Sequence, residues 1–482
     1  MIPKSIVISS FLWKFLERFS VQVSSFIISI VLARLLMPEE YGIIALVLVF
    51  INLASVIVEG GFSTALIQKQ EYNNKDFSTV FWISICVSIV LYIIIYISSP
   101  IISQFYKNSE LVDVIRIISI SVLFGAINSV QRAYISKMML FDKLFKSSLI
   151  SVVISGIIGI VLAYRGFGVW ALVVQYVLSQ FLNSVILWII VKWRPLLIVS
   201  YSSFKSLYDY GWKILLTNLM VSVFVNIRSL LIGHYFSPNA LAFFDKGKQF
   251  PSMLMENINS SIQTILLPVL SEQQNNRERL KIMLRRTIKT SALFIFPMMV
   301  GLIICSDSII HILLTDKWMG AAKFLQIFSI AFMLMPIQIA NMEAIKALGY
   351  SSITLKLESH KKILEIIVLI VSFMGGVEGI AWGVVVYNGL CLLINLYPCK
   401  KILNYGYFEQ IRDILPIIII SVLMGLCVFL VGNLFDTINA VALIIIQVLI
   451  GIFVYTYLCF QLRLETFMYL YSTAKQYVKN LK

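Results

Sequence analysis

The residues of this chain best suited to chemistry are charged and amide side chains set inside long apolar runs. Lys14, Arg18, Gln22, Ser25 and Ser29 recur at steps of 4, 4, 3 and 4, which puts them on one face of a helix. Asn52, Ser55, Glu59 and Ser63 share a face in the same way. Some 200 residues later the pattern returns as Asn218, Ser222 and Ser229, with Lys213 and Arg228 close by, and then as Ser252, Glu256, Asn259 and Gln263. Ser121, Asn128 and Arg132 form a further stripe. A lone Ser or Asn on such a face more often joins two helices than touches a ligand. Cations differ, because an ionised group in hydrocarbon demands water, a partner or an anion. Arg18, Arg132, Arg228 and Lys248 are therefore expected to line a hydrated cavity that attracts anionic groups, with Gln22, Glu59, Asn218, Glu256 and Asn259 as polar or ion-coupling companions. Lys14, Lys246 and Lys289 are expected to snorkel to the interface, and Arg34 with Glu39 and Glu40 to form a local structural turn.

Other chemistry has no sequence support. There is no G-x4-G-K-S/T motif for an ATP motor. His234, His311 and His360 lack metal-ligand spacing, and the six cysteines include no CxxC pair. No Ser/His/Asp arrangement suggests catalysis, so no catalytic residue, metal or cofactor is expected. Gly375, Gly379 and Gly383, at four-residue steps, serve close helix packing.

The elements that must position these stripes follow from composition. Hydrophobic residues make up 59% and charged residues 13% of the chain, and the mean hydropathy is +0.90. Soluble domains carry about 25% charged residues, so this chain is built for lipid. A span needs about 20 apolar residues with its backbone bonds paired internally. The runs lack the two-residue alternation of a barrel. An all-α polytopic membrane protein results, with spans expected near 11–36, 42–67, 79–99, 114–135, 147–164, 168–191, 211–235, 243–270, 287–305, 322–345, 361–376, 379–398, 414–433 and 438–461. The first is read as a retained helix, since no small-residue cleavage site follows it.

The net charge of +15 is distributed as topology rather than as a patch for nucleic acid. With the N-terminus inside, the odd-numbered loops hold three cations, Lys107, Arg165 and Lys317. They also hold Glu39, Glu40, Glu110, Asp113, Asp307, Asp316, Glu378 and Asp436, and most other Lys and Arg lie in the even loops and at the ends. Both termini are thus expected in the cytoplasm. The longest external loop is expected over 99–114, too short for a folded domain.

An internal repeat organises the chain. At an offset of 200, Ala33-Arg-Leu-Leu-Met-Pro38 faces Gly233-His-Tyr-Phe-Ser-Pro238, and at 210, Ile117-Ile-Ser-Ile120 faces Ile327-Phe-Ser-Ile330. The expected architecture is a six-helix lobe over 1–198, a second over 199–398, and an appended helix pair with a cytoplasmic tail over 399–482. The first two helices of each repeat carry the polar stripes, so the two lobes are expected to face a hydrated cavity.

Specific residues also carry a family resemblance. Leu32-Ala-Arg-Leu-Leu-Met-Pro-Glu-Glu-Tyr-Gly42 and Glu59-Gly-Gly-Phe-Ser-Thr-Ala-Leu-Ile-Gln68 resemble segments of the polysaccharide transporters in the multidrug/oligosaccharidyl-lipid/polysaccharide exporter superfamily. Phe81-Trp82, Pro100 with Phe105-Tyr106, Gly168-Val-Trp-Ala-Leu172, Trp193-Arg-Pro195, Thr315-Asp-Lys-Trp318 and Ala347-Leu-Gly349 continue the likeness over nearly the whole chain. It is closest to the colanic acid and teichuronic acid exporter branch. One departure is Leu241-Ala-Phe-Phe244, where that branch usually reads Leu-Gly-Tyr-Tyr.

The resemblance implies fourteen helices, alternating access and a polyprenyl-diphosphate-linked glycan as substrate. Such a protein serves lipopolysaccharide or exopolysaccharide biosynthesis in the bacterial inner membrane, among membrane lipids and beside glycan polymerase machinery. It would be a flippase rather than an enzyme. A cation-coupled drug antiporter would want a net acidic cavity, yet Lys and Arg outnumber Asp and Glu in the expected spans. A glycan polymerase or ligase would want a large external loop. Reporter fusions after Lys281 and Asp436 should read cytoplasmic and periplasmic respectively; an external signal at Lys281 would remove the two-lobe arrangement.

Overall fold

The structure, a computed structural model, describes residues 4–69, 72–272, 276–435 and 438–481. Asp436, assigned above to an external loop, lies outside the described residues. The first of two compact units, Met1–Ala242, contains α1 (Lys4–Leu35), α2 (Pro38–Glu59), α3 (Phe62–Gln68), α4 (Asn74–Tyr106), α5 (Leu111–Met138), α6 (Phe141–Tyr164), α7 (Val169–Ile190) and α8 (Tyr201–Tyr235). α9 (Pro238–Glu272) crosses the division. The second unit, Phe243–Lys482, continues with α10 (Arg277–Ile304), α11 (Ser306–Leu314), α12 (Gly320–Met333), α13 (Met335–Ala347), α14 (Ser351–Phe373), α15 (Gly376–Leu403), α16 (Tyr407–Leu434), α17 (Ala440–Gln461) and α18 (Glu465–Leu481). The packing boundary therefore falls later than the 198/199 repeat boundary, because α8 packs on α2, α3 and α4.

Among the described residues, twelve segments are long and apolar enough to cross a membrane, two fewer than the fourteen expected. The two that fall short are α9 and α14, helices of 35 and 23 residues at the places of the eighth and eleventh spans. Asp245, Lys246, Lys248 and Glu256 in α9, and Lys356 to Glu365 in α14, lower their hydropathy without breaking them. The external loop expected over 99–114 is also much shorter. Helix α4 runs through Pro100 to Tyr106, and α5 starts at Leu111.

The repeat has structural form. α1 ends at Leu35 and α2 starts at Pro38; α8 ends at Tyr235 and α9 starts at Pro238. In both places proline opens the new helix, where its missing N–H costs nothing. The Met37 amide donates to Glu40 Oε2 at 2.6 Å, closing the first of these turns. The repeat glycines are sites of close approach: a Cβ on Gly42 would land on the Pro238 carbonyl, and one on Gly233 on Leu46. α5 and the α12–α13 pair likewise match, each spanning 28 residues within one residue of the second offset.

Within each unit the helices alternate in direction. At one end of the first unit, Ser10 Oγ donates to Met139 O (2.9 Å) and Lys137 Nζ caps the end of α3 through Ile67 O and Lys69 O (2.7 and 2.6 Å). There too, Trp82 Nε1 donates to Leu196 O (2.8 Å), Thr79 Oγ1 accepts from the Ser200 amide (3.0 Å), and Arg194 caps α7 through the Trp188 and Val191 carbonyls. In the second unit the starts of α10 and α16 meet the corner between α17 and α18 through Lys281, Lys289, Asp413 and Glu465. Its opposite end is tied by an ion pair between Lys323 and Glu378, at the starts of α12 and α15.

The two copies differ at the end of their second helix. Gly60 and Gly61 (φ 54° and 69°) end α2 and start α3, whereas α9 runs unbroken through Ser260. Left-handed backbone costs a residue with a Cβ about 1–2 kcal/mol. A Cβ on Gly61 would in addition strike the Gly211 carbonyl of α8. Gly61→Ala should therefore destabilise the protein by at least about 2 kcal/mol, read as a lower melting temperature in detergent and lower membrane abundance. Gly166→Ala (φ 80°, with no heavy atom within 4 Å) should cost only the backbone strain, about 1 kcal/mol.

Candidate functional site

The polar stripes resolve into side chains that hold helices together and side chains that do not. On α5, Asn128 is buried: its Nδ2 donates to Gln180 O (3.4 Å) and its Oδ1 accepts from Ser184 Oγ (2.9 Å), both on α7. Arg132, one turn further along α5, remains exposed. Glu59 is the last residue of α2, because the Gly60 amide turns back to Val56 O (3.1 Å) in left-handed conformation. A carboxylate at a helix C-terminus faces the negative end of the helix dipole and needs a cation nearby. α2 packs on α5, and Arg132 lies within electrostatic reach of Glu59. The structure thus brings together two of the expected site residues.

The others stand on separate helices. On α1, Arg18 is exposed and Gln22 half-buried, while α1 packs closely on α6, where a Cβ on Gly156 would collide with Ile28. On α8, Asn218 is exposed and Arg228 half-buried; the neighbouring Asn226 Nδ2 donates to Ser222 O (2.8 Å). In the second unit, Lys248 is half-buried on α9, one turn from Asp245. Glu256 is exposed, and the Asn259 Oδ1 is sealed from solvent with no hydrogen-bond partner among the described residues.

Two of the snorkelling expectations are corrected. Lys246 is 6% exposed: its ammonium donates to Gln249 Oε1 (3.2 Å) and sits 5.8 Å from the centre of the Trp318 ring. Lys289 does not reach for an interface alone but pairs with Asp413 (3.5 Å) and Glu465 (3.0 Å). It belongs to a lattice missed above. Lys281 pairs with Glu409 (2.8 Å), Arg285 with Glu409 and Asp413, and the Tyr405 hydroxyl donates to Asp413 (2.8 Å). The signal was in the spacing: Lys281, Arg285 and Lys289 step by four on α10, as Glu409 and Asp413 do on α16. Lys14, also expected to snorkel, pairs with Glu17 at 3.1 Å. Gln131 was missed as well. It is wholly buried on α5, and both its amide atoms lack a hydrogen-bond partner among the described residues.

Long apolar helices bearing polar faces define a multi-spanning membrane protein. The fold is that of the lipid II flippase MurJ in an inward closed conformation, with a TM-score of 0.73 at 18% identity, covering 95% of this chain and 98% of that one. The chain belongs to the polysaccharide biosynthesis protein family, whose profile matches residues 31–323. It is similar to the teichuronic acid biosynthesis protein TuaB of Bacillus subtilis, 24% identical over 379 residues and covering 78% of each chain. It is also similar to the lipopolysaccharide biosynthesis protein WzxC of Escherichia coli, 20% identical over 411 residues, 82% of this chain and 83% of that one.

The electrostatic proximity of Glu59 and Arg132, which form no direct ion pair among the described residues, is measurable. In a double-mutant cycle of Glu59→Gln and Arg132→Gln, thermal stability should show a coupling of up to about 0.5–1 kcal/mol, the range of accessible charge pairs. Strict additivity would mean that the two side chains do not interact.

Proposed function

We propose that this protein flips a polyprenyl-diphosphate-linked oligosaccharide from the cytoplasmic to the outer leaflet of the bacterial inner membrane by alternating access. The observation that carries the reading is a set of cations inside a family of polysaccharide biosynthesis membrane proteins: Arg18, Arg132 and Arg228 on apolar spans and Lys248 on α9. A diphosphate cannot cross about 30 Å of hydrocarbon without compensating charge. Guanidinium groups supply it through paired N–H donors matched to phosphate oxygens. Gln22, Asn218, Glu256 and Asn259 offer hydrogen bonds for sugar hydroxyls, and Glu59, balanced by Arg132, is the group suited to carry a proton. The isoprenoid tail stays in lipid.

In this reading both termini are cytoplasmic, and α9 and α14 complete fourteen spans. The charges of α14 suit that role, since Lys361 pairs with Glu358 (2.9 Å) and Lys362 with Glu365 (3.0 Å), so little net charge enters the membrane. The functional repeats are 1–198 and 199–398, with 399–482 appended, and the flipped product is handed to glycan polymerase machinery.

Arg18→Ala or Arg228→Ala should lower surface glycan at least about 30-fold, the loss set by about 2 kcal/mol for an unpaired charge contact, with membrane abundance unchanged. Arg→Lys should restore part of the export, since the charge survives without the planar fork. Full export by a stable double variant would remove this pair as the substrate's anchor.

A further inference from the structure

The second unit holds a cleft that the transport reading does not use. It lies between the start of α16 and the corner where α17 turns into α18, and has a volume of about 570 Å³. Arg412, Arg463 and Thr466 form a polar lip. Leu415 and Ile419 of α16 and Leu462 of the turn after α17 form an apolar wall, exposed to 46%, 49% and 61%.

Two carboxylates also reach this cleft, but both are committed. Asp413 is held by Arg285, Lys289 and Tyr405, and Glu465 by Lys289. The hydrogen bond from Lys289 holds the Glu465 carboxyl below the usual carboxylate range, so it stays ionised and occupied at neutral pH. Arg412 and Arg463 make no ion pair among the described residues. Arg463 sits in left-handed backbone (φ 46°), the position after a helix that glycine or asparagine usually fills. An arginine there costs about 1 kcal/mol of strain, and it delivers a guanidinium to the lip of the cleft.

We propose that this cleft binds an anionic glycerophospholipid of the surrounding bilayer. The phosphate takes the forked donors of Arg412 and Arg463, with Thr466 Oγ1 as a third donor, and one acyl chain lies along Leu415, Ile419 and Leu462. A free phosphate ion shares the headgroup chemistry but would leave the apolar wall unused. The lipid ties α16 to the α17–α18 corner beside the ion-pair lattice. The site is independent of the transport reading, since it asks only for a bilayer.

Native mass spectrometry of the full chain, titrated with dioleoylphosphatidylglycerol, tests it. Arg412→Gln with Arg463→Gln should weaken binding about 30-fold, about fivefold per arginine near an anionic headgroup. Arg412→Gln alone leaves the left-handed corner untouched and should show the single fivefold loss. The control Arg277→Gln with Arg279→Gln, at the exposed start of α10, should change binding little. Equal losses in the control would overturn the site as diffuse surface attraction. So would equal binding of dioleoylphosphatidylcholine, or displacement by millimolar inorganic phosphate. Displacement by equimolar undecaprenyl phosphate would also overturn it, making the cleft a substrate subsite instead.

Discussion

Hydrocarbon offers no hydrogen bonds, and that single deficiency organises this protein. Every polar side chain on a span must find its partner within the chain or face something that brings one. Many find it locally: Ser129 donates to Ala126 O (2.9 Å) and Ser151 to Ser147 O (2.6 Å), returning to their own helix. Others reach across, as in the reciprocal amide pair of Asn341 and Gln410 (3.0 Å each way) or the bond from the Tyr455 hydroxyl to Leu293 O (2.7 Å). The lattice of Lys281, Arg285, Lys289, Glu409 and Asp413 applies the same rule to charges.

Close approach is the other half of the construction. Lipid tails are as apolar as leucine, so helices gain by backbone proximity rather than by escape from water. Gly42 against Pro238, Gly233 against Leu46 and Gly156 against Ile28 are contacts that a methyl group would prevent. The extended segment after α7 is secured in the opposite manner. Arg194 caps its carbonyls, and Trp193 packs on Phe77 and Phe81 with ring centres 5.9 and 6.1 Å apart.

The sequence made the helices legible because twenty apolar residues have few alternatives, and the duplication legible because proline and small residues punctuate both copies. Each of the fourteen expected segments falls on helix, though α9 and α14 are not apolar enough to count among the twelve candidate spans of the described residues. The polar faces were harder to interpret. Asn128 and Arg132 read as one stripe, yet Asn128 is a fastener to α7 and Arg132 is not, a distinction set by which neighbour arrives at each turn. Lys289 read as a solitary cation because its partners lie 124 and 176 residues away. Spacing by four on α10 and α16 hinted at the pairing, but only the fold makes the two ladders meet.

The paired glycines between α2 and α3 set the two copies apart. α9 continues as helix over 35 residues, with Pro251 and Pro268 inside it. The first copy interrupts its helix after Glu59 and leaves a seven-residue stub, α3, held at its far end by Lys137. The second helix of the first copy can therefore change direction after Glu59, at two residues without side chains, where α9 continues as helix.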